Sequence, residues 1–471
     1  MKIQGKTNGC KAKHFTQRTL IKLSRGVLKN ISNILSKKEI NGMSYASGFI
    51  KRSSSKITGF EFLTSMLMAS VDTEQATLEK ISDLFRAQFR VKIRAQSIME
   101  RLNNEFSVNF LKNIFETVLK NQYTKFIKVI PTHLLTTFSK ILIQDSTQCD
   151  LNQKLANAFK GSGGRASKSS LKLDVVYDFK IKKFESITLH NGSIADQALA
   201  HKIIEHITPN TLIIRDMGYL RVDCILSIVQ AQAFFLSRLK NNICVYLNEQ
   251  DVESLDLAKY LHENFRKEKI VEKMVYITAE KIPVRLIAYK APEEIAAKRR
   301  RVAHAKAKKE GRNLTQRSLT LLDFSLFITN VSAEIWSAEV VGTIYRIRWQ
   351  IELMYKDWKG RLNIDWLIGT NHFRIKCLVY SRLIFILLIN EVYRIFDYIG
   401  EHIGREVSMH KVYSWVRSSD RILKILSGRF SWWEERYLDE LIVTCMSHQK
   451  RKRKTSLQRI SEQDFYYAEA S

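Results

Sequence analysis

The change of pattern at Ser139 constrains the fold more than any other feature of the chain. Residues 57–122 read as helix throughout. After Ser139, short apolar runs of strand type take over, separated by turns and helical stretches. Ile141-Leu-Ile-Gln-Asp145 is one such run and ends on an acid. Residues 171–177 and 184–189 read as two more strands and 195–206 as a helix. Leu212-Ile-Ile-Arg-Asp216 is a fourth strand, again ending on an acid. Residues 220–230 are a helix, and Phe234-Phe-Leu-Ser-Arg238 a fifth strand. Three strands, helix, strand, helix, strand predicts an α/β protein whose mixed sheet carries helices on both faces.

Residues 240–323 interrupt this order. Within them, 273–277 and 284–289 read as a hairpin, and 296–311 as a basic helix carrying Lys298-Arg-Arg-Arg301. Residues 324–329 return as a strand, 332–359 as one long helix, and 375–396 as a strongly apolar core helix. The tail from Ser408 reads as helix, with a basic run at Lys450-Arg-Lys-Arg-Lys454. The expected division is a helical N-terminal region over 1–134, of which 1–56 is basic and Ser/Asn-rich with one helix over 16–35. A core in two parts over 135–239 and 324–400 follows, with the strand-rich insertion 240–323 between them and a helical C-terminal region over 401–471.

Lys plus Arg exceed Asp plus Glu by 76 − 47 = 29. Such a charge points to a polyanionic partner, most simply nucleic acid. A membrane is not expected: the apolar run 383–389 is far too short to span one and is bracketed by Arg382 and Glu391. No signal peptide is visible at the N-terminus. The six cysteines are scattered without a CxxC pair, as in reduced cytoplasmic proteins, and Cys10 with His14 lacks a second ligand pair.

The stretch Tyr345-Arg-Ile-Arg-Trp-Gln-Ile-Glu-Leu-Met-Tyr-Lys-Asp-Trp-Lys359 has no Gly or Pro and reads as helix. At ~100° per residue, Tyr345, Arg348, Glu352 and Lys359 fall within roughly 60° of one another. One carboxylate then stands in a row with a phenol, a guanidinium and an ammonium. Such a row is either a salt-bridged solvated face or a site that holds a metal ion and a DNA backbone together.

The spacing of these four residues resembles the Y-R-E-K signature of the DDE-type transposases of bacterial insertion sequences, the insertion-sequence-four family. Gln144-Asp-Ser-Thr147, Asp216-Met-Gly-Tyr219 and Phe235-Leu-Ser-Arg-Leu-Lys240 are also similar to that family, and the resemblance covers roughly residues 135–400. It implies a ribonuclease-H-like fold, whose active site lies where the first and fourth strands run side by side. It also implies a catalytic set of Asp145, Asp216 and Glu352. Three carboxylates can hold two divalent ions, and hard oxygen ligands favour Mg2+ or Mn2+. Asp174, Asp178 and Asp196 are nearby competitors, ranked as supporting residues. Tyr345, Arg348 and Lys359 would bind DNA phosphates. In some relatives a flipped base stacks on an aromatic at the start of the strand before the signature helix; here that residue is Phe324, which can equally be a buried strand residue.

Residues 77–85 and 95–102, joined by Arg-Ala-Gln-Phe-Arg-Val-Lys-Ile-Arg94, resemble a helix-turn-helix, and a packed helical bundle is the other reading. In the first, Gln96, Ser97, Glu100 and Arg101 face outward to DNA, with Arg94 before them. Arg165 and Lys168 of a Gly/Ser-rich loop, and Lys298, Arg299, Arg300 and Arg301, are further candidates for DNA contact. The expected function is DNA transposition: binding of terminal inverted repeats as double-stranded DNA, metal-dependent cleavage, and joining to target DNA, by a homodimer in the bacterial cytoplasm at the nucleoid. A catalytically inactive descendant and a plain nuclease on the same fold are the alternatives.

Overall fold

Nine strands join in one sheet. They are β1 (Lys140–Asp150), β2 (Ser170–Asp178), β3 (Lys183–Asn191), β4 (Thr211–Arg215), β5 (Phe234–Arg238), β6 (Val245–Tyr246), β7 (Ile270–Ile277), β8 (Ile282–Lys290) and β9 (Phe324–Thr329). Their order is β3-β2-β1-β4-β5-β9-β8-β7-β6. β1, β4 and β5 run parallel, and β9 pairs antiparallel with β5. The mixed sheet expected from the strand order is therefore present. The computed structural model describes residues 35–52, 55–71, 77–122, 133–163, 166–266, 268–402, 407–417 and 460. The helix expected over 16–35 (apart from Leu35), the Cys10/His14 pair, Arg165 and the basic run at 450–454 lie outside the described residues.

Two compact units divide the chain, one within residues 1–128, 148–171 and 355–452, the other within 129–147, 172–354 and 453–471. In the second, β4 is buried along its whole length. Continuous apolar runs of this kind mark strands covered on both faces. One cover is α6 (Val222–Gln230), which turns Cys224, Ile225 and Ile228 to the core. The insertion does not form a sheet of its own. Its hairpin β7–β8 pairs Ile277 with Ile282, and β8 pairs with β9, so the insertion widens the central sheet. α7 (Glu293–Glu310) is the expected basic helix.

The first unit is helical: α1 (Lys37–Ala46), α2 (Gly59–Val71), α3 (Leu78–Phe89), α4 (Ala95–Leu102) and α5 (Glu105–Lys120). α5 buries Val108, Leu111, Phe115 and Val118, an apolar stripe at helical spacing. The long α10 (His372–His402) is buried along most of its length and packs on α2 and α5. Among the described residues no helix is long and apolar enough to cross a membrane.

Four elements differ from the sequence reading. β1 continues five residues past Asp145, because polar side chains there still pair: the Gln148 amide donates to the Ser170 hydroxyl at 2.6 Å. α3 runs to Phe89, past the expected end at 85. Phe89 packs edge-on against Phe60, and Arg90, at φ 57°, closes the helix in the left-handed region. The helix expected over 195–206 is one α turn followed by a 3-10 segment, Ala200–His206. The helix expected over 332–359 is broken into α8 (Ala338–Tyr345), a 3-10 turn (Arg346–Arg348) and α9 (Trp349–Gly360).

Candidate active site

β1 pairs with β4 up to Gln144 and Arg215. The next residue of each chain segment is an aspartate, so Asp145 and Asp216 come from adjacent parallel strands. Side chains alternate along a strand, which turns Gln144 and Arg215 to the opposite, buried face. There the Arg215 guanidinium donates to Gln144 Oε1 (3.2 Å) and to the Ala200 carbonyl (2.9 Å). The Gln144 amide and the Tyr219 hydroxyl both donate to Asp174, at 3.1 and 2.8 Å. Burial pushes the Asp174 carboxyl up to about 6. This buried polar network holds the two strands in register beneath the acids, since slipping it would leave several polar groups unpaired.

The signature residues approach from the other side. Residues three apart eclipse in a 3-10 turn. The turn at Arg346–Arg348 therefore brings Arg348 over Tyr345, its guanidinium carbon 5.7 Å from the ring centre. The Tyr345 hydroxyl donates to Asp216 Oδ1 at 3.4 Å. Burial pushes the phenol well above its ordinary range, so it stays a donor. Arg348 Nη1 is 3.7 Å from Asp145 Oδ2, and Nη2 pairs with Glu352. Burial pushes Asp145 up to about 7, helped by the nearby carboxylates of Glu352 and Asp196 and opposed by the Ser146 amide and Arg348.

Two further residues belong to this corner: Asp196, which the sequence ranks behind the three acids as a competitor, and Arg238, which it does not single out. Asp196 accepts from Ser146 Oγ (2.7 Å) and from the buried Lys172 ammonium (2.8 Å). A methyl placed on Gly218 would stand 3.6 Å from Asp196 Oδ2 and 3.7 Å from Asp216 Oδ2, so both acids border that glycine. Arg238, at the end of β5, lies 5.6 Å from the Tyr345 ring centre. It stands within the segment Phe235–Lys240, the only signal that pointed to it.

Lys359 lies in the helical unit, where its ammonium donates to the Gln148 carbonyl at 2.8 Å. Phe324 is buried at the start of β9, stacked on Phe265 with centroids 5.0 Å apart. Arg299 is committed to the Leu322 and Phe324 carbonyls (3.2 and 2.9 Å), and Arg300 pairs with Asp323 and Glu293. Lys298 and Arg301 of the same helix are exposed, as is Lys168. In the helical unit Arg94 is exposed at the start of α4. Arg101 is half-buried, with its guanidinium 5.5 Å from the Phe49 ring centre. Ser97, Glu100 and Arg101 line a cleft of about 590 Å3, facing Lys51, Arg52 and Phe106. The face expected to enter a DNA groove is thus concave.

Among the described residues no three His, Cys, Asp or Glu side chains stand close enough to share a metal ion. The donor chemistry nonetheless fits a hard divalent cation. The acids offer only oxygen ligands, the donor type that hard divalent ions prefer.

Residues 136–388, more than half of the chain, match the family described as transposase DDE domain. The chain belongs to that family. Its members catalyse DNA cleavage and strand transfer and generally depend on divalent metal, and this transposase is an enzyme of bacterial insertion-sequence type. It is 26% identical over 393 residues to the transposase for insertion sequence element IS231B of Bacillus thuringiensis subsp. berliner, covering 80% of this chain and 81% of that one. It is 29% identical over 375 residues to the transposase for IS1151 of Clostridium perfringens, covering 76% and 79%. Among solved structures it is similar to the piggyBac transposase synaptic complex with hairpin DNA. That likeness, with a TM-score of 0.43 and 11% identity over 92% of this chain and 87% of that one, is too low to bear on the fold.

Proposed function

We propose that this transposase binds the terminal inverted repeats of its own insertion sequence, of the insertion-sequence-four family. It cuts the DNA there with Asp145, Asp216 and Glu352, and joins the freed end to target DNA. The observation that supports these site residues most is the double contact of the signature turn, Tyr345 on Asp216 and Arg348 on Asp145. It relates Tyr345 and Arg348 of the signature, and Glu352 through Arg348, to the two acids from which the resemblance builds one site.

In this reading the three carboxylates hold two Mg2+ or Mn2+ ions. Such ions, when bound, sharpen an attacking water and relieve charge at phosphorus. The protein's own part is positional. Asp145 and Asp216 stand on a stiff parallel pair, and the buried Arg215–Gln144–Asp174 network keeps them there. Tyr345 and Arg348 bind phosphate oxygens beside the scissile bond, for which a guanidinium fork is well shaped, and Lys359 is a further phosphate-binding residue of the signature. Water then forms the new bond to phosphorus, the bond to the 3′ oxygen breaks, and that oxygen leaves with a proton as the hydroxyl that later attacks target DNA. End recognition falls to the N-terminal region, residues 1–134, and the active assembly is a homodimer on DNA within the bacterial cytoplasm.

The test is cleavage of DNA carrying the element's ends by purified protein with Mg2+ or Mn2+. Asp145→Asn, Asp216→Asn and Glu352→Gln should each abolish cutting and leave DNA binding largely intact. Full cutting by Asp216→Asn would overturn the assignment and shift attention to Asp196, which borders Gly218 beside it.

A further inference from the structure

We propose that Arg348 is the counter-ion of the unloaded three-acid site, and that a DNA phosphate draws it away, so that metal loading and DNA binding are coupled through one guanidinium. The inference rests on the reading of Asp145, Asp216 and Glu352 as metal-holding acids, and adds to Arg348 a second task besides phosphate binding.

The geometry is that of a clasp. The two terminal nitrogens of Arg348 each face a different acid, Asp145 at 3.7 Å and Glu352 in direct contact. The Arg348 side chain is 14% exposed, and the two acids 18% and 27%. Carboxylate lone pairs that face guanidinium hydrogens cannot at the same time face a cation. A metal ion that uses Asp145 Oδ2 and Glu352 Oε1 therefore competes with Arg348 for them. Tyr345, itself buried, backs the guanidinium at 5.7 Å, and among the described residues Arg348 Nε is buried without a hydrogen-bond partner. A phosphate supplies what is missing. It is an anion that accepts the fork in a bidentate way and can satisfy the idle nitrogen. Because linkage is reciprocal, DNA that takes Arg348 raises metal affinity, and metal that takes the acids raises DNA affinity by the same factor.

The competing role is architectural, with Arg348 holding two repelling acids in a shape that metal needs. The two roles predict opposite signs. Free Mn2+ is followed by electron paramagnetic resonance while it is titrated into full-length protein without DNA. If Arg348 is a displaceable counter-ion, Arg348→Gln binds Mn2+ roughly tenfold more tightly than the wild type, within the range typical of coupled sites. Arg348→Lys, which keeps one charge but cannot span both acids, falls between them. A short DNA duplex, with its own Mn2+ binding subtracted, tightens the wild type more than it tightens Arg348→Gln.

Weaker or equal binding by Arg348→Gln, or no gain from duplex in the wild type, overturns the proposal. Circular dichroism melts check that each variant is folded, and Arg348→Lys carries the test if Arg348→Gln is not. Asp145→Asn and Glu352→Gln in the same titration separate the two layers. Loss of Mn2+ binding in both keeps the three-acid reading whatever Arg348 does, and wild-type binding in both removes that reading and the inference together.

Discussion

The Tyr345 hydroxyl donates to the Asp216 carboxylate at 3.4 Å, across 129 residues of sequence. This bond ties the signature turn to the end of β4. Tyr345→Phe removes it and keeps the ring, which packs edge-on against Phe327 with centroids 5.1 Å apart. A hydrogen bond to a charged group is worth about 1.5–3 kcal/mol. Cleavage by Tyr345→Phe should therefore fall roughly 10- to 150-fold and the melting temperature should drop, as read from single-turnover cutting and a thermal melt. Wild-type cutting would remove Tyr345 from the site.

Arg94 and Arg101 separate DNA contact from structure. Arg94 is exposed and caps nothing with its side chain. Arg101 lies over Phe49, and burial lowers its pKa. Arg101→Ala should cost about 1 kcal/mol of stability, the scale of a partly buried cation–π contact, as well as affinity for the terminal repeat. Arg94→Ala should leave the denaturant midpoint in place and weaken only binding. A gel shift and a urea titration on the same two proteins check both halves. Equal midpoints would show that Arg101 is not a packing residue.

Asp174 gives a pH signature. Burial raises its carboxyl from the usual 3.8 to about 6, so the folded protein keeps this proton to higher pH than the unfolded chain does. The resulting stabilisation is complete below about pH 4 and is lost as pH rises through about 6. It amounts to on the order of 3 kcal/mol at most. Asp174→Asn deletes the titration. Between about pH 4 and 7, the wild type should lose stability relative to the variant. Denaturant melts across that range decide it, and parallel curves would mean that Asp174 ionises normally.

The net charge of +29 predicts steep salt dependence. With about six to ten phosphate contacts, affinity should fall roughly 10³- to 10⁵-fold between about 50 and 200 mM salt. Fluorescence anisotropy with a labelled repeat duplex measures the slope. A flat response would assign the charge to something other than the DNA backbone.

The three acids of the proposed site stand out in the sequence because each sits at a change of pattern. Ile141-Leu-Ile-Gln and Leu212-Ile-Ile-Arg are apolar strand runs that stop on an aspartate, and Glu352 stands in a fixed spacing with three phosphate-binding types. What supports them was not legible. An arginine at the end of Leu-Ile-Ile-Arg215 looks like a solvated strand end. Its burial depends on the Ala200 carbonyl and on Gln144 of the neighbouring strand, which only the fold supplies. The place of Asp196 beside Asp216 depends likewise on Lys172 and Ser146. The 3-10 turn at Arg346–Arg348 contains no Gly or Pro to announce it, yet it decides that Arg348 lies over Tyr345.

β9 is hydrogen-bonded on both sides, to β5 and to β8. A nascent chain that has not yet reached Phe324 therefore has two open sheet edges, and such edges invite pairing with other chains. Only after the insertion has folded its β7–β8 hairpin is there a slot for the late strand to enter. Glu352 follows β9 in sequence, so the third acid of the proposed site is made after the last strand of the sheet. Synthesis proceeds from the N-terminus, with segments folding as they emerge. Unfinished copies of this enzyme thus lack one of the acids assigned to cutting DNA, and a premature stop within the insertion should yield an aggregating fragment without nuclease activity.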